Sequence, residues 1–235
     1  EILIGLVGSE MCIRDSTESE YVNHLEKEYE EINNIKNLKS KIRISYVFQE
    51  KARGLGDAIY HAKAFAGEDD FAVILGDDFV FGENQSNYGI GTLCEYYQHN
   101  PAYYLGVQKV PYEETYKYGI VSPEKEIGNY FKINGIIEKP KENPPSNMAC
   151  VGRYILKNSI FKYLEQITEG VGGEVQLTDA IAIAQNNEPV FASTFNGKRY
   201  DIGNKLGYVE ATIIVAKYRE DLKEGIHSFL KEIEK

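Results

Sequence analysis

Two acids close an apolar run in Phe71-Ala72-Val73-Ile74-Leu75-Gly76-Asp77-Asp78, and a third lies far along the chain in Tyr200-Asp201-Ile202-Gly203-Asn204-Lys205. Ligands in α/β sheets bind beyond the carboxyl ends of strands, where such acids sit. Magnesium takes hard oxygen donors, usually one or two carboxylates completed by substrate phosphates. Asp77 and Asp201 would serve one Mg2+ ion if folding joins them. Read alone, each is ordinary. Asp77-Asp78 can cap a turn, and an Asp just before a helix is usually an N-cap or turn residue.

Glu138-Lys139-Pro140 follows another apolar strand pattern. Glu138 can accept from sugar hydroxyls, and Lys139 can neutralise a phosphate as a point charge. The plain alternative is a surface ion pair of little energetic weight. Gln49 opens a loop containing Gly54 and Gly56. Glycines admit close backbone approach to a ligand, and a glutamine side chain offers the donor and acceptor that a pyrimidine edge needs. Tyr118-Gly119 is a weak signal by itself, and Glu174-Val175-Gln176-Leu177-Thr178-Asp179 reads as a helix entry, with a role near a sugar also open.

These residues need a scaffold, and the patterning supplies an α/β one. Residues 42–48 alternate as a strand, 58–66 read as a helix, and 71–75 form a nearly continuous apolar strand. Such a run suits a strand buried on both faces of a parallel sheet, and strand, loop, helix and strand make a βαβ unit. Further helices are expected over 89–99, 158–166, 178–186, 205–217 and 220–233, with strands over 103–108, 118–121, 130–138, 147–156 and 189–195. Residues 17–40 are polar and helix-prone, with Tyr21, Leu25, Tyr29, Ile32 and Ile35 at helical spacing. The sum is one α/β domain over residues 1–235, with a mixed sheet and a small antiparallel insertion.

The formal net charge of −10 argues against nucleic acid or an anionic membrane as the main partner. No apolar run approaches the ~20 residues of a spanning helix. Cys12, Cys94 and Cys150 include no C-x-x-C pair, and there are only four histidines, so a structural zinc site is not expected. A reduced, cytoplasmic chain is. Near the start, Glu1–Ile4 reads as a strand. Gly5, Gly8 and Ser9 then suggest a phosphate loop, but the Gly-Lys-Ser/Thr close and the G-x-G-x-x-G pattern are both missing. The stretch from Gly5 to about Ser16 resembles a translated sequencing-adaptor string, and on that reading it is foreign to the fold.

Six segments occur in an order and spacing that resemble the UTP–glucose-1-phosphate uridylyltransferase family of sugar nucleotidyltransferases. They are Gly54-Leu55-Gly56-Asp57-Ala58, Val73-Ile74-Leu75-Gly76-Asp77, Ile137-Glu138-Lys139-Pro140, Val151-Gly152-Arg153-Tyr154, Gly173–Ala180 and Asp201-Ile202-Gly203-Asn204-Lys205-Leu206-Gly207-Tyr208. The resemblance covers about residues 42–222, and its Gly-Asn-Lys-Leu-Gly-Tyr ending points to the uridylyl branch. It implies a Rossmann-like mixed sheet of the nucleotide-diphospho-sugar transferase type. It also implies roles: Gln49 and the Gly54 backbone on uracil, Asp77 and Asp201 on magnesium, the Gly119 backbone and Glu138 on glucose, and Lys139 on the sugar phosphate. Asp77, Lys139 and Asp201 would carry catalysis, with Asp78 and Lys205 as neighbours. UTP and glucose 1-phosphate would be the substrates and UDP-glucose and pyrophosphate the products, in a homo-oligomeric enzyme. The attacking phosphate is already anionic, so no general base is required.

One departure is large. The family's opening strand and its G-x-G-T-R-x-x-P loop are absent, and the chain starts at what resembles the family's second strand. The missing strand belongs between that second strand and the one ending at Asp77, so an unpaired edge or a gap is expected. The chain as written is expected to be inactive or nearly so. Rival readings are a thymidylyl or other sugar-1-phosphate nucleotidyltransferase, a glycosyltransferase and a non-catalytic homologue. A glycosyltransferase predicts D-x-D, whereas Asp77-Asp78 stands here.

Overall fold

The computed structural model describes residues 2–6, 45–82, 89–127, 130–168, 173–195 and 197–233. The predicted helix over 17–40 and most of the adaptor-like stretch lie outside them.

A seven-stranded mixed sheet is built from β1 (Ile2–Leu6), β2 (Phe71–Leu75), β4 (Tyr103–Lys109), β5 (Gly119–Ile127), β6 (Tyr130–Glu138), β7 (Met148–Leu156) and β8 (Val190–Thr194), in the order β1-β2-β7-β4-β8-β6-β5. β1 with β2 and β4 with β8 run parallel, while the other neighbours in that order are antiparallel. A separate ribbon pairs β3 (Asp78–Phe81) with β9 (Lys198–Asp201). Helices α1 (Leu55–His61), α2 (Lys63–Ala66), α3 (Ile90–His99), α4 (Ile160–Leu164), α5 (Leu177–Ala184), α6 (Lys205–Tyr218) and α7 (Lys223–Ile233), with a 3-10 helix at Tyr112–Lys117, complete the described elements.

Strand alternation explains how both faces of the sheet fill. Along β4, Tyr103, Leu105 and Val107 point into the main core, which α1, α4 and α5 cover through Ile59, Phe161, Leu164, Leu177 and Ile181. Tyr104, one residue out of phase, joins Leu93 of α3, Ile155 and Phe191 in a second core on the other face. Every residue of β7 is buried. Its pairing with β4 shifts between Leu105 and Val107, where 151–153 oppose a single residue. Gly152 sits in this bulge at φ 44, and bulges re-aim the side chains that follow them.

Three expectations need correction. The predicted strand over 42–48 is not formed in its described part: residues 45–49 are irregular and Phe48 is 78% exposed. An apolar alternation needs a neighbouring ladder to become a strand, and none is present there among the described residues. The βαβ unit read from that strand is therefore not formed among the described residues either. Of the expected unpaired edge or gap, the gap is not formed: β1 pairs with β2 directly in parallel from Ile2↔Phe71 to Leu6↔Leu75 and is the edge strand of the sheet among the described residues. Asp78, read as part of a loop, starts β3, a strand with no counterpart in the sequence reading.

Candidate active site

The chain leaves β2 at Leu75, turns at Gly76-Asp77 and enters β3 at Asp78. The partner strand β9 ends at Asp201, and the register sets Asp78 opposite Asp201. The Ile202 backbone N–H donates to Asp77 O at 2.8 Å, closing the end of the ribbon. Asp77 and Asp201, separated along the chain, thereby come together. A Cβ built on Gly203 would lie 3.2 Å from Asp201 Oδ1 and 3.4 Å from Asp77 Oδ2, so the two carboxylates flank one point. Asp201 is not the helix cap: Asn204 caps α6, its Oδ1 accepting from Gly207 N at 2.8 Å. Asp201 Oδ1 accepts from Gly203 N at 3.1 Å, a local turn that fixes the carboxylate. Gly207 has no room for a side chain, since a Cβ there would be 2.0 Å from Asp201 O.

Among the described residues no three or more metal-binding side chains converge. Two carboxylates at one open point nevertheless fit magnesium, which commonly draws its remaining donors from substrate phosphates and water. Asp77 is exposed and Asp201 half-buried, so both can be reached.

A second cluster forms at the facing ends of β5 and β6. Gly119 pairs with Glu138 in the ladder, and Lys139 N donates to Tyr118 O at 2.9 Å. Glu138 Oε2 accepts from Thr178 Oγ1 at 3.0 Å, and Lys139 Nζ lies 3.6 Å from Glu138 Oε1. A Cβ on Gly119 would stand 2.7 Å from Thr178 Cγ2 and 3.2 Å from Glu138 Oε2. Only glycine leaves that backbone open beside the carboxylate. Lys139 itself is at φ 45, unusual for a residue with a side chain.

Gln49 and Gly54 are also joined. Gln49 Nε2 donates to Gly54 O at 3.3 Å and to Asp57 Oδ2 at 2.6 Å, so the amide braces the loop. Gly54 stands at φ 100, against Val175 O. Gly56 N donates to Val175 O at 2.8 Å, and Val175 N donates to Arg53 O at 2.7 Å. The loop is thus stitched to the segment that enters α5 and carries Thr178 to Glu138.

The nucleotidyl transferase family model matches residues 8–217. A UTP–glucose-1-phosphate uridylyltransferase of Mycoplasma pneumoniae is 40% identical over 244 residues, spanning 99% of this chain and 82% of the relative. The chain belongs to the UTP–glucose-1-phosphate uridylyltransferase family. A second member, from Staphylococcus saprophyticus, is 43% identical over 191 residues, 81% of this chain and 65% of its own. A crystal structure of UDP-glucose pyrophosphorylase complexed with UDP-glucose superposes with a TM-score of 0.81 at 32% identity, over 93% of this chain and 82% of that one.

Other polar residues near these acids escaped the sequence reading or were left without a role. Arg199 Nε bonds buried Asp78 Oδ1, its Nη2 lies 3.8 Å from Asp201 Oδ2, and its Nη1 is 3.4 Å from the Tyr118 hydroxyl. Arg153 donates from Nη2 to Asp78 O and from Nη1 to Leu75 O and Gly152 O at 3.3 and 2.9 Å. Burial pushes the Asp78 carboxyl up, against the pull of Arg199. Burial likewise lowers Arg153. The signal for Arg199 was its place two residues before Asp201, which puts both on one face of a strand. Lys205 is exposed in the first turn of α6, close to Asp201 in sequence.

Proposed function

We propose that this chain performs the reaction of its family, moving the uridylyl group of UTP onto glucose 1-phosphate to give UDP-glucose and pyrophosphate. The observation that carries this reading is the meeting of Asp77 and Asp201 at the Gly203 turn. A phosphate oxygen of glucose 1-phosphate attacks the α-phosphorus of UTP, and the bond from that phosphorus to the pyrophosphate oxygen breaks. No proton need leave the nucleophile, which suits a site whose side chains position and neutralise.

Gln49 and the backbone at Gly54 hold uracil on this reading. Gly119 and Glu138 orient the glucose, and Lys139 neutralises its phosphate. Members of the family generally use a divalent metal. Asp77 and Asp201 would hold magnesium here, which offsets charge on the phosphate oxygens when bound. A homo-oligomer belongs to the same proposal, and light scattering after size exclusion reads it directly. Among the described residues no helix is long and apolar enough to cross a membrane.

The test combines pyrophosphate release with calorimetry. UTP and glucose 1-phosphate should release pyrophosphate in preference to dTTP and glucose 1-phosphate. UDP-glucose binding reads the sugar site even where turnover is slight. A chain that binds neither UTP nor UDP-glucose overturns the assignment.

A further inference from the structure

Two negative side chains directly opposite in an antiparallel pair repel each other, and Asp78 and Asp201 occupy such positions. Arg199 stands opposite Val80, two residues along β9 from Asp201 and diagonal to Asp78. Its side chain reaches back over both acids. Only 6% of the Asp78 side chain and 14% of the Arg199 side chain are exposed, whereas Asp201 is 39% exposed. The guanidinium is therefore anchored on its buried side and presents Nη2 to the open acid. Its plane also lies over the Tyr118 ring, with Cζ 5.4 Å from the centroid.

The surroundings are shaped to admit this pair. A Cβ on Gly152 would stand 2.2 Å from Asp78 Oδ2, so the β7 bulge leaves the space that Asp78 occupies. Arg153, re-aimed by that bulge, holds the Asp78 carbonyl. None of Asp78, Arg153 and Arg199 has a part in the chemistry described above.

We propose that Arg199, anchored by Asp78, is a positioning residue that fixes the Asp201 carboxylate beside Asp77 for the divalent ion. The proposal rests on reading Asp77 and Asp201 as the metal-holding pair. Lysine could not replace it, because one ammonium cannot reproduce a planar fork that spans Asp78, Asp201 and Tyr118. Arg199 and Asp78 together add no net charge to the site, so the effect on the metal is assigned to orientation and not to added charge.

The test is a Mn2+ titration read by electron paramagnetic resonance on the full 235-residue chain with UDP-glucose present. Arg199→Lys keeps the charge and loses the fork. The double variant Asp78→Asn with Arg199→Gln removes both charges of the pair, so neither partner is left buried without the other. Both should bind Mn2+ about 10–100-fold more weakly, as loss of a residue behind a metal ligand commonly does. Circular dichroism corrects for the folded fraction, and Arg199→Lys decides the matter where the double variant does not fold. Wild-type Mn2+ affinity in a folded variant overturns the proposal. Failure of the underlying reading looks different: the wild-type chain binds no Mn2+, or Asp201→Asn binds it as well as wild type.

Discussion

Replacing Thr178 with valine probes the sugar cluster with the least disturbance. Thr178 is the second residue of α5 and is buried, with 6% of its surface exposed. Its hydroxyl donates to Glu138 Oε2 at 3.0 Å, while its methyl faces Gly119. Valine keeps the shape and the methyl but deletes the donor. A hydrogen bond to an ionised group contributes about 1.5–3 kcal/mol. At 1.4 kcal/mol per tenfold, its loss corresponds to roughly 10–150-fold in affinity if all of it is felt in binding. The Glu138 side chain is 11% exposed, so water can recover part of the lost bond, and Lys139 at 3.6 Å still restrains the other oxygen. The low end, about tenfold weaker UDP-glucose binding, is the expected result. Thr178→Ser should stay near wild type. UTP binding should change little in either variant, because the Gln49–Gly54 loop bonds to Val175 and not to Thr178. Isothermal calorimetry with both ligands gives the answer. UDP-glucose affinity within about twofold of wild type in Thr178→Val would mean that Glu138 does not grip the sugar or needs no help to do so.

Two further outcomes follow from buried geometry. Gly152→Ala places a Cβ 2.2 Å from Asp78 Oδ2 at a residue with φ 44, so Asp78 must leave Arg199. Breaking a buried ion pair in this way costs about 3–5 kcal/mol, and urea unfolding should show a shift of that size with an unchanged slope. Glu188 accepts from Lys157 Nζ at 2.7 Å and the Tyr163 hydroxyl at 3.0 Å. Burial alone would raise its carboxyl, but hydrogen bonds from Lys157, Ser159 and Tyr163 hold it below its ordinary value. A depressed folded value gives stability that is present above the unfolded carboxylate range and lost as pH falls through the folded one. Glu188→Gln should therefore lower the thermal midpoint near neutral pH, and the gap to wild type should close on acidification. A gap independent of pH would refute the ionic origin.

The sequence was most informative where a strand is buried on both faces. Phe71–Leu75 and Tyr103–Val107 carry apolar side chains at nearly every position, and no water-facing alternative suits them. Tyr46-Val47-Phe48 has the same apolar character, yet it is exposed and irregular. Its composition described a strand that could pair, and pairing is decided by what lies alongside. Helix limits moved for local reasons. The helix predicted from 58 starts at Leu55, since Ala58 N bonds back to Gly54 O at 3.2 Å, and it breaks at Ala62.

At the candidate site the legible residues were those whose chemistry is rare in their setting. An acid at a strand's carboxyl end, a Glu-Lys pair after an apolar strand and a glycine-rich loop each stand out in one dimension. Arg199 does not, because its meaning comes from register. Pair β9 with β3 one residue out, and Arg199 turns to the opposite face of the ribbon from Asp78. The β3–β9 ribbon therefore does two things at once. It brings Asp201 to Asp77, and it sets a cation diagonal to the acid that would otherwise face Asp201 alone. The same argument explains why Asp78 is buried next to an exposed Asp77. Alternation sends one carboxylate into the ribbon, where Arg199 can neutralise it, while the turn leaves the other at the surface within reach of a ligand.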